Sequence, residues 1–210
     1  METLALMFRF FKEGGFFMYP ILVVMVLGLA IAIERWLYVR RASRENRRVW
    51  SEMLPLMNQG KHQDAERVAN ESETAIGRVL GHGLARSRTH ASRGEVEMAM
   101  EEGLMEVVPL LERRTHYLAT FANIATLLGL LGTIIGLIQG FTAVSNVNPA
   151  EKADLLAASI SVAMNTTAFG LIVAIPLLLI HSWLSSMTND LVDSLEMAST
   201  KFMNSLGLKQ

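Results

Sequence analysis

The sequence of 210 residues contains no cysteine. That excludes a disulfide framework and a thiolate metal site. It also contains no P-loop, no G-x-S-x-G and no H-E-x-x-H, so none of the common nucleotide or hydrolase sites is present. His62, His82 and His90 stand at no metal-ligand spacing. No internal repeat or low-complexity segment is evident. The absence that organises the chain is one of charge. Asp, Glu, Lys and Arg are missing from Phe16–Ile33, Tyr117–Val144 and Leu155–Met187.

Each of these blocks reaches the roughly 20 apolar residues that a helix needs to cross a bilayer core. Buried helices of a soluble protein need shorter ones. The first block is not followed by a small-residue cleavage site but by Glu34, Arg35 and Trp36, so it reads as a span and not as a signal peptide. Of the 19 Lys and Arg residues, 14 fall between Arg35 and Arg114. Basic residues stay on the cytoplasmic side. The expected fold is an all-α membrane protein of three transmembrane helices with long helical cytoplasmic extensions. Its N-terminus is periplasmic and its C-terminus cytoplasmic.

The resulting organisation is a short interfacial helix over 1–15, a first span over 16–34 and a cytoplasmic helical region over 35–116. A second span over 117–144, a periplasmic turn over 145–154, a third span over 155–187 and a cytoplasmic helix over 188–210 follow. Pro20 falls in the first turn of the first span, where proline is tolerated. In the cytoplasmic region, Ile76, Val79, Leu80, Gly83 and Leu84 recur at helical spacing. So do Val96, Met100, Leu104, Val107 and Leu111. The second stripe leads into the second span without a stop signal, which predicts one continuous helix kinked at Pro109. Gly60, Gly77 and Gly94 are the expected breaks. Leu191, Leu195 and Met203 carry an apolar face beyond the third span.

The stretch "LLGLLGTIIGLIQG" at Leu127–Gly140 sets glycines among large aliphatic residues. Lipid provides no hydrophobic drive between helices, so close backbone approach and polar contacts must join them. Gly132, Gly136 and Gly140 are four apart, and Gly129 lies on an adjacent strip. The third span answers with Ser159, Ala163, Thr166 or Thr167, Gly170 and Ala174. These stripes pack the two helices together, or they face a further helix or a pore. Thr126, Thr133, Ser159, Ser161, Asn165, Thr166 and Thr167 add polar groups inside the spans. One threonine alone can bond its own backbone. Seven polar side chains point to a hydrated or partner-lined interior. No Asp or Glu lies within the three charge-free blocks, Glu34 standing at the inner end of the first span, and a proton relay needs an ionisable group at membrane depth. If this chain moves protons, the titrating carboxylate belongs to another polypeptide.

"LGLLGTIIGLIQGF" (Leu128–Phe141) and "NTTAFGLIVAIPLLL" (Asn165–Leu179) resemble the second and third spans of the ExbB/TolQ/MotA proton-channel family, closest to its three-span ExbB/TolQ branch. The resemblance covers three spans, their order, the large cytoplasmic loop and the orientation. It implies a homopentamer around an ExbD- or TolR-like single-span partner that carries an intramembrane aspartate. The assembly would sit in a bacterial inner membrane. It would turn proton motive force into work on a periplasm-spanning, TonB-like protein. TonB-type outer-membrane transport is the leading output, and Tol-Pal-type envelope maintenance or a passive scaffold are the alternatives.

By motif position the resemblance puts Thr133 and Thr167 on the ion path, with Thr166 beside them as a further oxygen for H⁺ or Na⁺. Gly129, Gly132, Gly136, Gly140, Ala163, Gly170 and Ala174 are the packing residues. Arg35, Arg40, Arg41, Arg44, Arg47 and Arg48 form a basic cluster for anionic lipid. No catalysis, cofactor, metal or nucleic-acid partner is implied. The sequence departs from the family pattern at Val162, where a glutamate is usual. It departs again at Thr126, where a proline is usual, and at His181 and Ser182 after the A-I-P stretch.

Overall fold

The structure, a computed structural model, describes residues 14–89, 91–145 and 147–205. The interfacial helix expected over 1–15 lies outside them, apart from Gly14 and Gly15. Among the described residues six helices follow in order: α1 (Met18–Asn58), α2 (His62–Glu71), α3 (Ala75–Ser87), α4 (Arg93–Glu112), α5 (His116–Ser145) and α6 (Lys152–Ser205). The described residues contain no strand. The all-α membrane fold therefore holds. Three helical runs, Met18–Asn58, Arg93–Ser145 and Lys152–Ser205, are long and apolar enough to cross a membrane. At about 1.5 Å per residue, α1 and α6 far exceed a core of about 30 Å, because they have 41 and 54 residues.

The ends of the helices have local causes. Gly60 takes φ +73°. Its N–H bonds the carbonyl of Met57 at 3.0 Å, and the Lys61 N–H bonds that of Leu56 at 2.9 Å. This is the paired bonding by which a left-handed glycine closes a helix, so the break expected at Gly60 is present. Those expected at Gly77 and Gly94 are not, since both residues lie inside helices. Thr74 caps α3 by accepting the Gly77 N–H at 3.2 Å. A side chain at 77 would press within 2.8 Å of the Ala69 carbonyl, so this glycine serves close approach. Ser92 and Glu95 form a reciprocal capping box that starts α4.

The continuous helix kinked at Pro109 also needs correction. Pro109 stays inside α4, and the chain breaks at Arg113–Thr115 instead. Arg114 adopts φ +69°, which a helix cannot contain. The guanidinium of Arg35 donates to the carbonyl of Leu111 in the last turn of α4, satisfying one of the acceptors that a helix end leaves open.

The chain divides into two compact units. One is the chain up to Ile33 with Arg114–Ser182, and the other is Glu34–Arg113 with Trp183 onward. In the first, Met18, Ile21 and Val24 of α1 are buried, with Leu118, Ala122 and Ala125 of α5 and Ala163, Val173, Ala174 and Leu177 of α6. In the second, α1, α2, α3, α4 and α6 all contribute to one apolar core. Both predicted stripes of the cytoplasmic region enter it, with Leu104 only partly buried. Leu191, Leu195 and Met203 are buried there as well, together with Phe202.

Candidate ion path

The site is a seam between α5 and α6. Its width is set by what the glycines lack. A β-carbon on Gly129 would lie 3.3 Å from the α-carbons of Gly170 and Thr167. One on Gly170 would lie 2.7 Å from the carbonyl oxygen of Ala125. One on Gly136 would meet Ala163 at 3.0 Å, and one on Gly140 would meet Ser159 at 2.6 Å. Gly132 faces Thr166 and, at 3.3 Å, the Cβ of Phe17. Backbone therefore rests on backbone, the arrangement that small residues permit in lipid. Gly129, Gly132, Gly136, Gly140, Ala163 and Gly170 all lie in this seam within a single chain, and Ala174 is buried at 2% exposure.

The close approach brings two hydroxyls together. Thr133 Oγ1 and Thr167 Oγ1 are hydrogen-bonded to each other, although 34 residues separate them. Thr167 Oγ1 donates to the Gly129 carbonyl at 2.9 Å. Thr133 Oγ1 lies 3.2 Å from that carbonyl and 3.4 Å from the carbonyl of Ala163. A glycine at 129 leaves its carbonyl open to the neighbouring helix. Two protons serve four oxygens here, so lone pairs remain on a half-buried pair of hydroxyls. The pair is neutral. It can accept a hydrogen bond from water or from a protonated carboxyl, and it cannot itself titrate.

Thr166 does not join this pair. Its hydroxyl is 2% exposed, donates to the Gly14 carbonyl at 2.6 Å and lies 2.9 Å from the Val162 carbonyl. One residue along a helix turns the side chain by about 100°, so adjacent threonines serve different faces. The joint oxygen set of Thr166 and Thr167 is thus not formed. Thr166 instead fastens the segment that enters α1. Gly15, at φ +74°, makes the turn there, and its β-carbon position lies 3.2 Å from Val162. Further along, Gly28 of α1 packs on Leu177, whose methyls would have to shift for a β-carbon there. The role of Gly14, Gly15 and Phe17 could not be read from periodicity, since the contacts span more than a hundred residues. The adjacent glycines at 14 and 15 were the only signal.

Thr126 and Ser159 are locally satisfied. Thr126 bonds the Ala122 carbonyl at 3.1 Å and Ser159 that of Leu155 at 2.9 Å, the back-bonding open to hydroxyls in helices. Ser161 is exposed, and Asn165 is half-buried.

The basic cluster divides. Arg40, Arg41, Arg44, Arg47 and Arg48 are exposed. Arg35 is not, at 3%, and it departs from the lipid-facing assignment. Its guanidinium is used inside the protein, on the Leu111 carbonyl and over the Tyr38 ring at 4.6 Å. A buried charge needs such partners. Arg41 pairs with Glu45 at 2.8 Å, and that hydrogen bond and charge hold Arg41 above its ordinary range.

Residues 71–197 match the MotA/TolQ/ExbB proton channel family. Among curated proteins, an ExbB biopolymer transport homolog of Methanothermobacter thermautotrophicus is 30% identical over 89% of this chain and 66% of its own length. An ExbB-like biopolymer transport protein of Synechocystis is 32% identical over 87% of this chain and 72% of its own length. The Tol-Pal system protein TolQ of Haemophilus influenzae is 34% identical over 43% of this chain and 40% of its own. The chain thus spans just under two thirds of the first relative.

Proposed function

This chain belongs to the MotA/TolQ/ExbB proton channel family, and from that premise we propose that it is the channel-forming subunit of an inner-membrane motor. The motor converts proton motive force into mechanical work on the cell envelope, with TonB-type transport as its output. The observation that carries the reading is the Thr133–Thr167 hydroxyl pair, held in a hairpin whose apolar blocks contain no Asp, Glu, Lys or Arg.

A hydroxyl pair can stabilise a protonated carboxyl but cannot carry charge through a bilayer by itself. A charge at this depth costs at least roughly 2.5–3.5 kcal/mol. The titrating group therefore belongs to a single-span partner of the ExbD or TolR kind, and its aspartate meets the threonines. Protonation from the periplasmic side removes the charge and lets the carboxyl donate to a threonine oxygen. Release to the cytoplasmic side restores it. Each proton delivers about 2.3 kcal/mol per 100 mV, and the cycle moves the partner helices against the surrounding subunits. Five copies of this chain surround the partner, with their N-termini periplasmic and their C-termini cytoplasmic.

The ExbB-named relatives favour a TonB-type over a Tol-type output. Two of them match 89% and 87% of the chain, whereas the TolQ match covers 43%. The test is complementation of motive-force-dependent uptake, run beside a pull-down of the partner. Thr133→Val and Thr167→Val keep shape and volume, so the partner should still be captured while uptake fails. Thr167→Ser should retain part of the activity. Full uptake in the double valine variant would leave the hydroxyls as packing groups and favour a passive scaffold.

A further inference from the structure

The unit formed by Glu34–Arg113 and Trp183 onward carries two exposed strips of opposite charge that do not meet within one chain. On α1, Arg40 and Arg44 stand one turn apart and are exposed, beside Leu37 at 55%. Arg40 lies over the Trp36 ring at 5.2 Å, and neither arginine makes an ion pair among the described residues. On α4, Glu102 and Glu106 stand one turn apart and are exposed, with Met98 at 62% and Met105 at 74% on the same stretch of helix. These glutamates likewise make no ion pair among the described residues.

The heights of the two strips match. α1 and α4 run antiparallel, because Arg35 bonds Leu111 while Tyr38 and Ala42 line one cavity with Val107. Counting away from the Arg35–Leu111 contact, Arg40 and Glu106 are each five residues on, and Arg44 and Glu102 are each nine residues on. At about 1.5 Å per residue, Arg40 and Arg44 lie about 7.5 and 13.5 Å along α1 from Arg35, and Glu106 and Glu102 the same distances along α4 from Leu111. Copies of one chain inserted in a membrane in the same direction are related by an axis along its normal. Where that axis runs along α1 and α4, positions equally far along the two helices stay matched between copies.

We propose that Arg40 and Arg44 of one copy dock on Glu106 and Glu102 of the next, with Met98 and Met105 covered in the same contact. The proposal rests on the membrane reading and names the faces through which copies join. A second copy is the occupant because it offers the complementary strip at the matching count from the same contact. An anionic lipid surface would attract the arginines but be repelled by Glu102 and Glu106 at the same heights. The contact is head-to-tail, so it closes into a ring when the rotation allows. Its charge pairing fixes the partner's register.

The absence of cysteine makes a direct test available. The full chain carrying both Arg44→Cys and Glu102→Cys is treated in native membranes with a short bismaleimide. The result expected is a ladder of dimer and larger species. Each single variant should stay monomeric, and so should the height-mismatched pair Arg40→Cys with Glu97→Cys. The charge readout is the native-gel oligomer: the double reversal Arg40→Glu with Arg44→Glu weakens it, and adding Glu102→Arg and Glu106→Arg to the same chain restores it. High salt weakens the wild-type contact by screening. An oligomer on the native gel without the matched ladder would overturn these faces and leave assembly itself standing. No oligomer at all would overturn both. Dimers from a single variant would replace the head-to-tail contact by a symmetric one. Loss of anionic-vesicle binding on arginine reversal, with no matched ladder, would assign the strip to lipid and end the proposal.

Discussion

The two units are built from the same kind of helix and use large aliphatic residues in opposite ways. In the unit formed by the chain up to Ile33 and Arg114–Ser182, the seam is glycine and alanine, and Leu127, Leu130, Ile134, Ile172 and Ile175 point outward. In the other unit, Leu80, Leu84, Leu111, Leu195 and Phe202 are fully or nearly fully buried, and glutamates and arginines face out. The difference teaches what each surrounding medium rewards. Water drives large apolar side chains inward. Lipid is as apolar as leucine and leaves contact between backbones as the means of association.

The largest effect should come from filling the glycine seam. Gly170→Leu places a branched chain where a single β-carbon already lies 2.7 Å from the Ala125 carbonyl. The hairpin cannot close around it, so the variant should be degraded in cells and aggregate in detergent. Immunoblotting and size-exclusion chromatography would show this. Leu130→Ala, on the outward face, should leave both unchanged. If the two variants behaved alike, the contrast between seam and lipid face would be wrong.

Next is the reverse experiment in the other unit. Phe202→Ala removes a ring that is 0% exposed, and such truncations cost about 3–5 kcal/mol. Protease resistance of the unit formed by Glu34–Arg113 and Trp183 onward should fall sharply. Capture of the partner at the membrane seam should fall less. Equal loss of both would show that the two units do not fold separately.

A smaller effect is expected at the start of α4. Ser92→Ala deletes a cap, a change of about 1 kcal/mol. The Ser92 backbone N–H and hydroxyl, followed by Arg86, hold the Glu95 carboxyl below its ordinary range. A carboxyl lowered on folding stabilises the fold above its unfolded value, and the stabilisation is lost as pH falls through the folded value. Hydrogen exchange in the first turn of α4 should therefore stay slow down to the ordinary carboxylate range and quicken below it. Ser92→Ala should weaken that dependence, and a profile identical to wild type would refute the capping box.

The spans and the apolar stripes were legible because each depends on neighbours a few residues away. Ile76 through Leu84 and Val96 through Leu111 announce a buried face by spacing alone. What was not legible depends on distant partners. Arg35 reads as one of six basic residues until the end of α4 arrives beside it, 76 residues later. The break at Arg114 has no glycine or proline to signal it. Thr166 and Thr167 are indistinguishable as letters, and only the positions of Gly14 and Gly129 assign them to different faces. The small-residue stripes left open whether they join helices of one chain or of two. The seam contacts place them within one chain.

The measurement that bears most directly on the account is ion flux through the purified complex with the proposed single-span partner in liposomes. An imposed membrane potential and a pH-sensitive dye supply the readout. The account predicts flux with the wild-type chain and little flux with Thr133→Val and Thr167→Val combined, at equal incorporation of both subunits. Undiminished flux through the double variant would contradict it, because ions would then cross without the hydroxyl pair.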